Sequence, residues 1–489
     1  MIKTVNIIGS GIGGLATAIR LAVKGYSVTI FEKNSYPGGK LSELVLGKYR
    51  FDKGPSLLTL PQLIDELTHL SGSKNKFKYQ QLNTITHYFF EDGTQLKAKK
   101  DIHEFAKEIN LKLNEPESTV IKHIEKSSFY YNIIADIFLK QSISKPKNFL
   151  NKRTLKGILN IPKLALFSTM HQQNSSAFKN PKTVQLFNRY ATYNGSNPYK
   201  APALLNVIPH LELNLGAYLP ENGMHQITTH LVDLAKELGV QIKYNETVEE
   251  ITIEKNRATG LISNTNKYES DLTISDVDIN FLYKKLLPQK YTPIKTLAQE
   301  KSSSAYVFYW GIKKEFNELG VHNVLFSNNY AEEFSCLFET DEPYFDPTIY
   351  INITSKKCRN DAPIGSENWF VMVNVPHNKF QKEIKYADEL RKNVISKINR
   401  ILNTHIEQYI EEEAILDPFG IELQTASFGG SLYGNSSNNK FSAFLRHANF
   451  SNKIKGLYLV GGSVHPGGGI PLCLLSAKIV SDIIPNNNN

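Results

Sequence analysis

VNIIGSGIGGLATAIRLAVKGYSVTIFEKNSYPGGK, residues 5–40, carries the most specific structural signal in the chain. The apolar run at 5–8 leads directly into Gly9-x-Gly11-x-x-Gly14. Ile12 and Gly13 open the next element, and apolar residues recur at helical spacing over 15–23. A second apolar run at 28–31 then ends on Glu32. This is the strand–turn–helix–strand order of a dinucleotide site. The spacing assigns Gly9 to the tight turn, Gly11 to close approach of backbone to a pyrophosphate, and Gly14 to packing of helix on strand. Free N–H groups at the helix start offer the positive end of a dipole to that anion. Glu32 stands where ribose hydroxyls need an acceptor, and an acid there selects FAD or NAD over NADP. An isolated GxGxxG is a weak signal, but here the preceding strand, the helix and the terminal acid agree.

The continuation separates the two cofactors. Residues 33–40 read KNSYPGGK, and Phe51-Asp52-Lys53-Gly54-Pro55 comes next. An acid-ended strand followed by a Gly-Gly-Lys turn resembles the extended flavoprotein pattern of the flavin amine oxidase and carotenoid desaturase group. The resemblance implies FAD, with Lys33, Gly39, Lys40, Gly54, Pro55 and Ser56 beside it. Near the other end of the chain, residues 456–462 (GLYLVGG) read as a short buried strand, and HPGGGIP at 465–471 reads as a glycine-rich turn. Helical spacing runs over 472–484, with Pro471 suited to a first helical turn. This second strand–turn–helix fits a split cofactor site, to which Gly462, Gly469, Ile470 and Pro471 are assigned. Its dipole would favour reduced, anionic flavin. For His465, anchoring of the turn through the backbone is the plainer role, and catalysis the sharper one.

Composition bounds the rest. The chain has 489 residues, a formal net charge of +9 and 41% hydrophobic residues, which is ordinary for a globular protein of two or three domains. No run of about twenty apolar residues suggests a membrane span, and the first strand begins too early to leave room for a signal peptide. Cys336, Cys358 and Cys473 are far apart without metal-ligand spacing, so they read as reduced thiols of a cytoplasmic chain with no metal. The positive charge comes without any nucleic-acid motif, and scattered lysine is often only solvated surface. One segment, FLNKRTLKGILNIPKLALFSTM at 149–170, mixes aliphatic and basic residues as interfacial helices do, although Pro162 interrupts it. A pair of ordinary amphipathic core helices explains that segment equally well.

The pattern along the chain predicts an α/β protein with a discontinuous Rossmann-like FAD domain (1–75, 215–280 and 421–489). A mixed-sheet substrate domain is expected over 76–100 and 281–420, and a helical lid or membrane-associating part over 101–214. Residues 86–96 read as a hairpin turning at Asp92-Gly93. The 101–190 stretch reads as helical with weak caps. A helix is expected at 226–238, then strands at 239–244, 248–253, 258–262 and 268–274, with Val248 at the cofactor. Further strands at 306–310 and 369–375 and a helix near 381–402 complete the substrate sheet.

Several segments in order resemble the bacterial-type phytoene desaturase family of flavin-dependent carotenoid desaturases. They are the N-terminal block to Pro55, RYATYNGSNPY at 189–199, LPENGMHQ at 219–226, FLRHAN at 444–449 and VGGSVHPGGGIPL at 460–472. The last block looks most like the hydroxy- and methoxy-carotenoid 3,4-desaturases. The chain departs from the usual pattern at Gly223-Met224, where a Gly-Gly pair is common, and at Ser275-Asp276-Val277-Asp278, where an Asn-Ala-Asp-like end is common. The resemblance implies that a carotenoid loses a hydride and a proton to form a new conjugated double bond at C3–C4 of a 1-hydroxylated acyclic end. Oxygen or a quinone would be the final acceptor, and attachment peripheral, on the inner face of the cell membrane. Phytoene desaturation, carotenoid isomerisation and terminal-methyl oxygenation are alternatives on the same scaffold, and prenyl-lipid escort is a non-enzymatic one. Flavin desaturation needs orientation more than side-chain chemistry. Arg189 and His447 are therefore only candidate catalytic groups, with an interdomain salt bridge the plainer role for Arg189 and bracing of the flavin side another role for Arg446 and His447.

Overall fold

Thr4–Ile8 lies at the centre of a five-stranded parallel sheet ordered Leu457–Leu459, Leu272–Ser275, Thr4–Ile8, Ser27–Phe31 and Gln241–Lys243. The computed structural model describes residues 2–142, 160, 164–165, 167–340, 342–379, 386–439 and 445–487. A parallel strand covered on both faces buries residues on both, which is why Val5, Asn6, Ile7 and Ile8 are all buried, with Asn6 donating to the Tyr268 carbonyl. The following helix, Ile12–Val23, is buried from Ile12 to Leu21. It packs on Ile470–Ile483 and Gln226–Glu237, so the second glycine-rich segment rejoins the first through helix packing.

One expected strand is divided. Residues 268–274 belong to two sheets: Asn266–Glu269 pairs antiparallel with Arg257–Ser263, and Leu272–Ser275 enters the parallel sheet. The break lies at Asp271, whose N–H donates to the Thr4 carbonyl (3.1 Å) and whose Oδ2 accepts from the Thr4 N–H (2.8 Å). Period-two alternation marks a strand but carries no information on its partner.

The second sheet has seven strands, ordered Ile410–Leu416, Ser304–Ile312, Glu367–Val375, Ile349–Ile353, His322–Leu325, Thr84–Phe89 and Gln95–Lys99. It is antiparallel except between His322–Leu325 and Thr84–Phe89, so it is mixed, as expected. The hairpin turns at Gly93, whose φ is +84°. Phe308, Trp310, Trp369 and Val371 cover one face and pack beneath the helix Ala387–Leu402. Residues 381–385 of the expected helix lie outside the described residues. The other face carries Tyr88, Val324, Tyr350 and Met372 side by side across four strands. It meets the 53–56 loop: Tyr309 OH donates to the Lys53 carbonyl (2.9 Å), and Tyr350 OH lies 2.7 Å from Ser56 Oγ.

The helical region contains Ile102–Leu113, Glu117–Ile134, Met170–Ala177 and Pro181–Asn188. Its caps are stronger than expected. Asp101 accepts from the His103 and Glu104 N–H groups, Thr169 and Gln172 form a reciprocal capping box, and Asn180 caps the Pro181 helix. The 149–170 segment lies outside the described residues except at 160, 164–165 and 167–170. Among the described residues no helix is long and apolar enough to cross a membrane.

Candidate functional site

A cleft opens where the parallel sheet, both glycine-rich helix starts and the 424–434 segment meet. Gly9, Gly11, Ile12, Gly13, Glu32, Lys33, Gly39, Lys40, Pro55, Val248, Gly462, Gly469 and Ile470 all line it. Two helices begin there, Ile12–Val23 after Gly11 and Ile470–Ile483 after Gly469, and neither N-cap residue supplies a side-chain cap. N–H groups without an N-cap side chain, at a positive helix end, suit an anionic diphosphate.

The glycines are needed for reasons the spacing only partly conveys. A Cβ on Gly14 would stand 2.3 Å from the Gly9 carbonyl oxygen, which is the close packing expected there. A Cβ on Gly11 or Gly13 would instead stand 2.5 Å from a carboxylate oxygen of Asp276. Gly11 thus makes room for the end of strand Leu272–Ser275 as well as for a ligand above it. Gly54 is demanded by the Lys40 carbonyl, 1.9 Å from where its Cβ would be. Gly14, Gly54, Ser56 and Pro471 shape the walls but do not line the cleft. Ser56 faces Tyr350, and Pro471 sits in the first turn of its helix.

At the far end, Glu32 is buried and fixed. Its Oε2 accepts from Ser10 N–H (2.9 Å) and Ser10 Oγ (2.7 Å), and its Oε1 from Asn34 N–H (2.9 Å). A carboxylate has acceptor capacity beyond these three bonds, as ribose hydroxyls require. Lys33 and Lys40 are tied down through Nζ, Lys33 to the Leu423 carbonyl (2.7 Å) and Lys40 to those of Ser431 (3.1 Å) and Leu432 (2.7 Å). Burial lowers the pKa of both. These groups clamp the 423–432 stretch that leads into and forms this wall to the Rossmann unit. The glycine floor, the paired helix starts and the Glu32 acceptor fit FAD.

Asp276 was not legible as a site residue. It lies at the end of a central strand, lines the cleft and accepts the Gly14 N–H at 2.8 Å through Oδ2. Burial pushes its carboxyl up to about 7; the Gly14 hydrogen bond opposes this, and the Glu32 charge adds to it. Glu246, Thr247, Tyr433 and the 424–427 segment are further lining residues that sequence reasoning missed. Gly429, Gly430 and Gly434 were the only local hint of a loop there.

Arg189 and His447 are brought neither to the cleft nor to each other's hydrogen-bonding network. Arg189 Nη2 donates to Glu212 Oε1 (2.8 Å) and to Tyr88 OH (2.6 Å), and Nη1 to Tyr193 OH (3.2 Å). The rings of Tyr88, Tyr190 and Tyr193 surround the guanidinium at 4.4–5.4 Å. Burial works against its charge, but the oxygens of Tyr88, Tyr193 and Glu212 outweigh burial and hold its pKa above the ordinary value. His447 donates from Nδ1 to the Ala448 carbonyl (2.7 Å) and accepts at Nε2 from Tyr283 OH (2.8 Å). Arg446 does brace the cleft wall, donating to the Tyr433 and Asn435 carbonyls and to Asn194 Oδ1. His465 donates from Nε2 to the Gln141 carbonyl (3.0 Å), and its own backbone carbonyl is held by Asn449, which matches the anchored-turn role.

The profile of the flavin-containing amine oxidoreductases matches residues 12–485. The chain belongs to this family. A 1-hydroxycarotenoid 3,4-desaturase of Flavobacterium sp. (strain P99-3) is 50% identical over 487 residues, covering 99% of this chain and 100% of the relative. A 4,4'-diapolycopene oxygenase of Methylomonas sp. is 30% identical over 490 residues, covering 99% and 98%. Among solved structures, a cyclohexylamine oxidase of Brevibacterium oxydans IH-35A superposes with a TM-score of 0.62 at 12% identity, covering 99% of this chain and 98% of the other. As a flavin-containing amine oxidoreductase the protein is an oxidoreductase that uses FAD. The desaturase resemblance read from the terminal glycine blocks is met by the 50% identical relative.

Proposed function

We propose that the protein is a carotenoid desaturase that forms the C3–C4 double bond of a 1-hydroxylated acyclic end. The observation that carries this reading is the 50% identity to a 1-hydroxycarotenoid 3,4-desaturase, which extends over 99% of the chain and so includes cleft, sheet and helical region alike. When bound, FAD supplies the acceptor for a hydride from one carbon while the neighbouring carbon loses a proton. The chain's own contribution is positional. Gly11, Ile12, Gly13, Gly469 and Ile470 would hold the diphosphate and ring end at the two helix starts, and Glu32 the ribose. The half-buried Tyr350 and Met372 on one face of the large sheet offer an apolar and aromatic surface against which a polyene can lie, joined to the cofactor side through Lys53 and Ser56. Burying a polyene there excludes water, and the geometry has only to bring a C–H bond to about 3–3.5 Å from the acceptor atom. Arg189 and His447, engaged as they are, act as positioning residues on this reading.

The same reading divides the chain as the sequence pattern does, with FAD held by 1–75, 215–280 and 421–489. It also places the protein at the inner surface of the membrane in which its substrate dissolves, with oxygen or a quinone as final acceptor. The direct test incubates the FAD-loaded protein with carotenoids in liposomes, once anaerobically for a single turnover and once in air for many turnovers. Loss of two hydrogens with a red-shifted spectrum, confined to a 1-hydroxylated acyclic end, is expected. Multiple desaturation of phytoene, an unchanged mass, or aerobic oxygen insertion at a terminal methyl would replace this reading. The last outcome is the one to which the diapolycopene oxygenase relative points.

A further inference from the structure

The carboxyl of Asp276 lies beneath the dinucleotide loop, in van der Waals reach of the positions that Gly11, Gly13 and Gly461 leave bare. Cβ atoms there would approach its oxygens to 2.4–2.5 Å. It already occupies one of the N–H groups of the first helical turn, that of Gly14. A carboxylate at this point places a negative charge in the cradle that the two helix starts otherwise reserve for a diphosphate. Two anions cannot share it without a proton between them, as with paired carboxylates in other buried sites. A neutral carboxylic acid has the opposite character: it keeps an acceptor for Gly14 N–H and gains an O–H donor.

We propose that Asp276 is a cofactor-binding residue that must carry a proton when the diphosphate of FAD is seated, so that FAD binding takes up a proton wherever the free carboxyl is ionised. This rests on the reading of the cleft as an FAD site. The surroundings are consistent with it. Glu32 at the end of strand Ser27–Phe31 and Cys473 in the first turn of Ile470–Ile483 act on the carboxyl directly, and Lys40 on the Gly-Gly loop, Asp278, Lys33 and Glu246 are the other charged groups of the cleft. Glu32 disfavours charge on Asp276. The two cations, Lys40 and Lys33, turn their Nζ away to backbone carbonyls, Lys40 to those of Ser431 and Leu432 and Lys33 to that of Leu423. Bound diphosphate adds further negative charge and raises the carboxyl pKa again, which is the sign required for proton uptake.

The test is the FAD dissociation constant of the apo-protein, followed by quenching of flavin fluorescence between about pH 6 and about pH 8.5. The FAD diphosphate is a diester and keeps the same charge across that range. With the free carboxyl titrating at about 7, affinity is level on the acid side and falls about thirtyfold by the alkaline end. Asp276→Asn supplies the neutral amide permanently, so it should bind FAD with an affinity that does not change with pH. A pH-independent wild-type protein overturns the proposal. So does an Asp276→Asn variant that keeps the full pH dependence, which would transfer it to the cleft lysines, Lys33 and Lys40. Binding of FAD by neither protein at any pH overturns the FAD reading itself, and the proposal with it.

Discussion

Glu212→Leu should be among the most damaging single changes distant from the cleft, and more damaging than Arg189→Met. Glu212 is fully buried, and three donors converge on it: Arg189 Nη2 at 2.8 Å and Tyr190 OH at 3.0 Å on Oε1, and Tyr193 OH on Oε2. Removing it leaves a guanidinium buried without its counter-ion, at about 3–5 kcal/mol. It also leaves two phenol hydroxyls without their acceptor, at about 1–3 kcal/mol each where no water reaches them. The expected total is about 5–11 kcal/mol. Arg189→Met leaves Glu212 with both phenol donors and keeps the three rings packed against a side chain of similar length, so about 2–4 kcal/mol is expected. In Arg189→Met/Glu212→Leu no charge is stranded, and a coupling of about 2–3 kcal/mol should appear relative to the sum of the single variants. Urea unfolding followed by tryptophan fluorescence measures all three. Because the network serves position and not chemistry, the double variant should retain bound FAD and turn over within about tenfold of the parent, a change of about 1.4 kcal/mol in the barrier. Additive losses, with coupling below about 0.5 kcal/mol, would refute the buried-pair account. A folded, flavin-loaded double variant with no turnover would return Arg189 to the catalytic group.

Further expectations bear on the cleft and on acid stability. Gly14→Ala puts a Cβ 2.3 Å from the Gly9 carbonyl and should cost about 2–4 kcal/mol, seen as a protein purified without flavin colour. Glu32→Arg removes the acceptor of both Ser10 bonds along with the ribose acceptor, and FAD affinity by fluorescence titration should fall tenfold or more, about 1.4 kcal/mol at least. His123, packed between Phe178 and Phe187 with its Nε2 unpartnered, is lowered to about 3 by burial. Its folded-state pKa lies below the unfolded value, so the stability it permits is intact above about pH 6.5 and is lost as pH falls toward the folded value. His123→Phe should therefore gain on the parent by about 1.4 kcal/mol per pH unit below about pH 6, in unfolding experiments over that range. An unchanged difference between parent and variant would mean that the imidazole is hydrated.

Features that depend on neighbours along the chain were legible in the amino-acid order alone. The glycines of 9–14, the apolar runs on either side and Glu32 lie within one supersecondary unit, so their spacing specifies strand, turn, helix and acid without knowledge of the rest. The same holds for the 456–471 block and for the turn at Gly93. Which sheet each half of 266–275 joins depends on tertiary contacts, because alternation is identical in both. Chain folding also placed Asp276 under a loop far earlier in the sequence, as the Gly14 contact spans 262 positions. It closed the cleft with 424–434 and surrounded Arg189 with Tyr88, 101 residues before it, and Glu212, 23 after it. An aspartate and an arginine look the same in sequence whether solvated or buried. Their protonation, charge and role come from the partners that folding brings to them, and those contacts have no period to read.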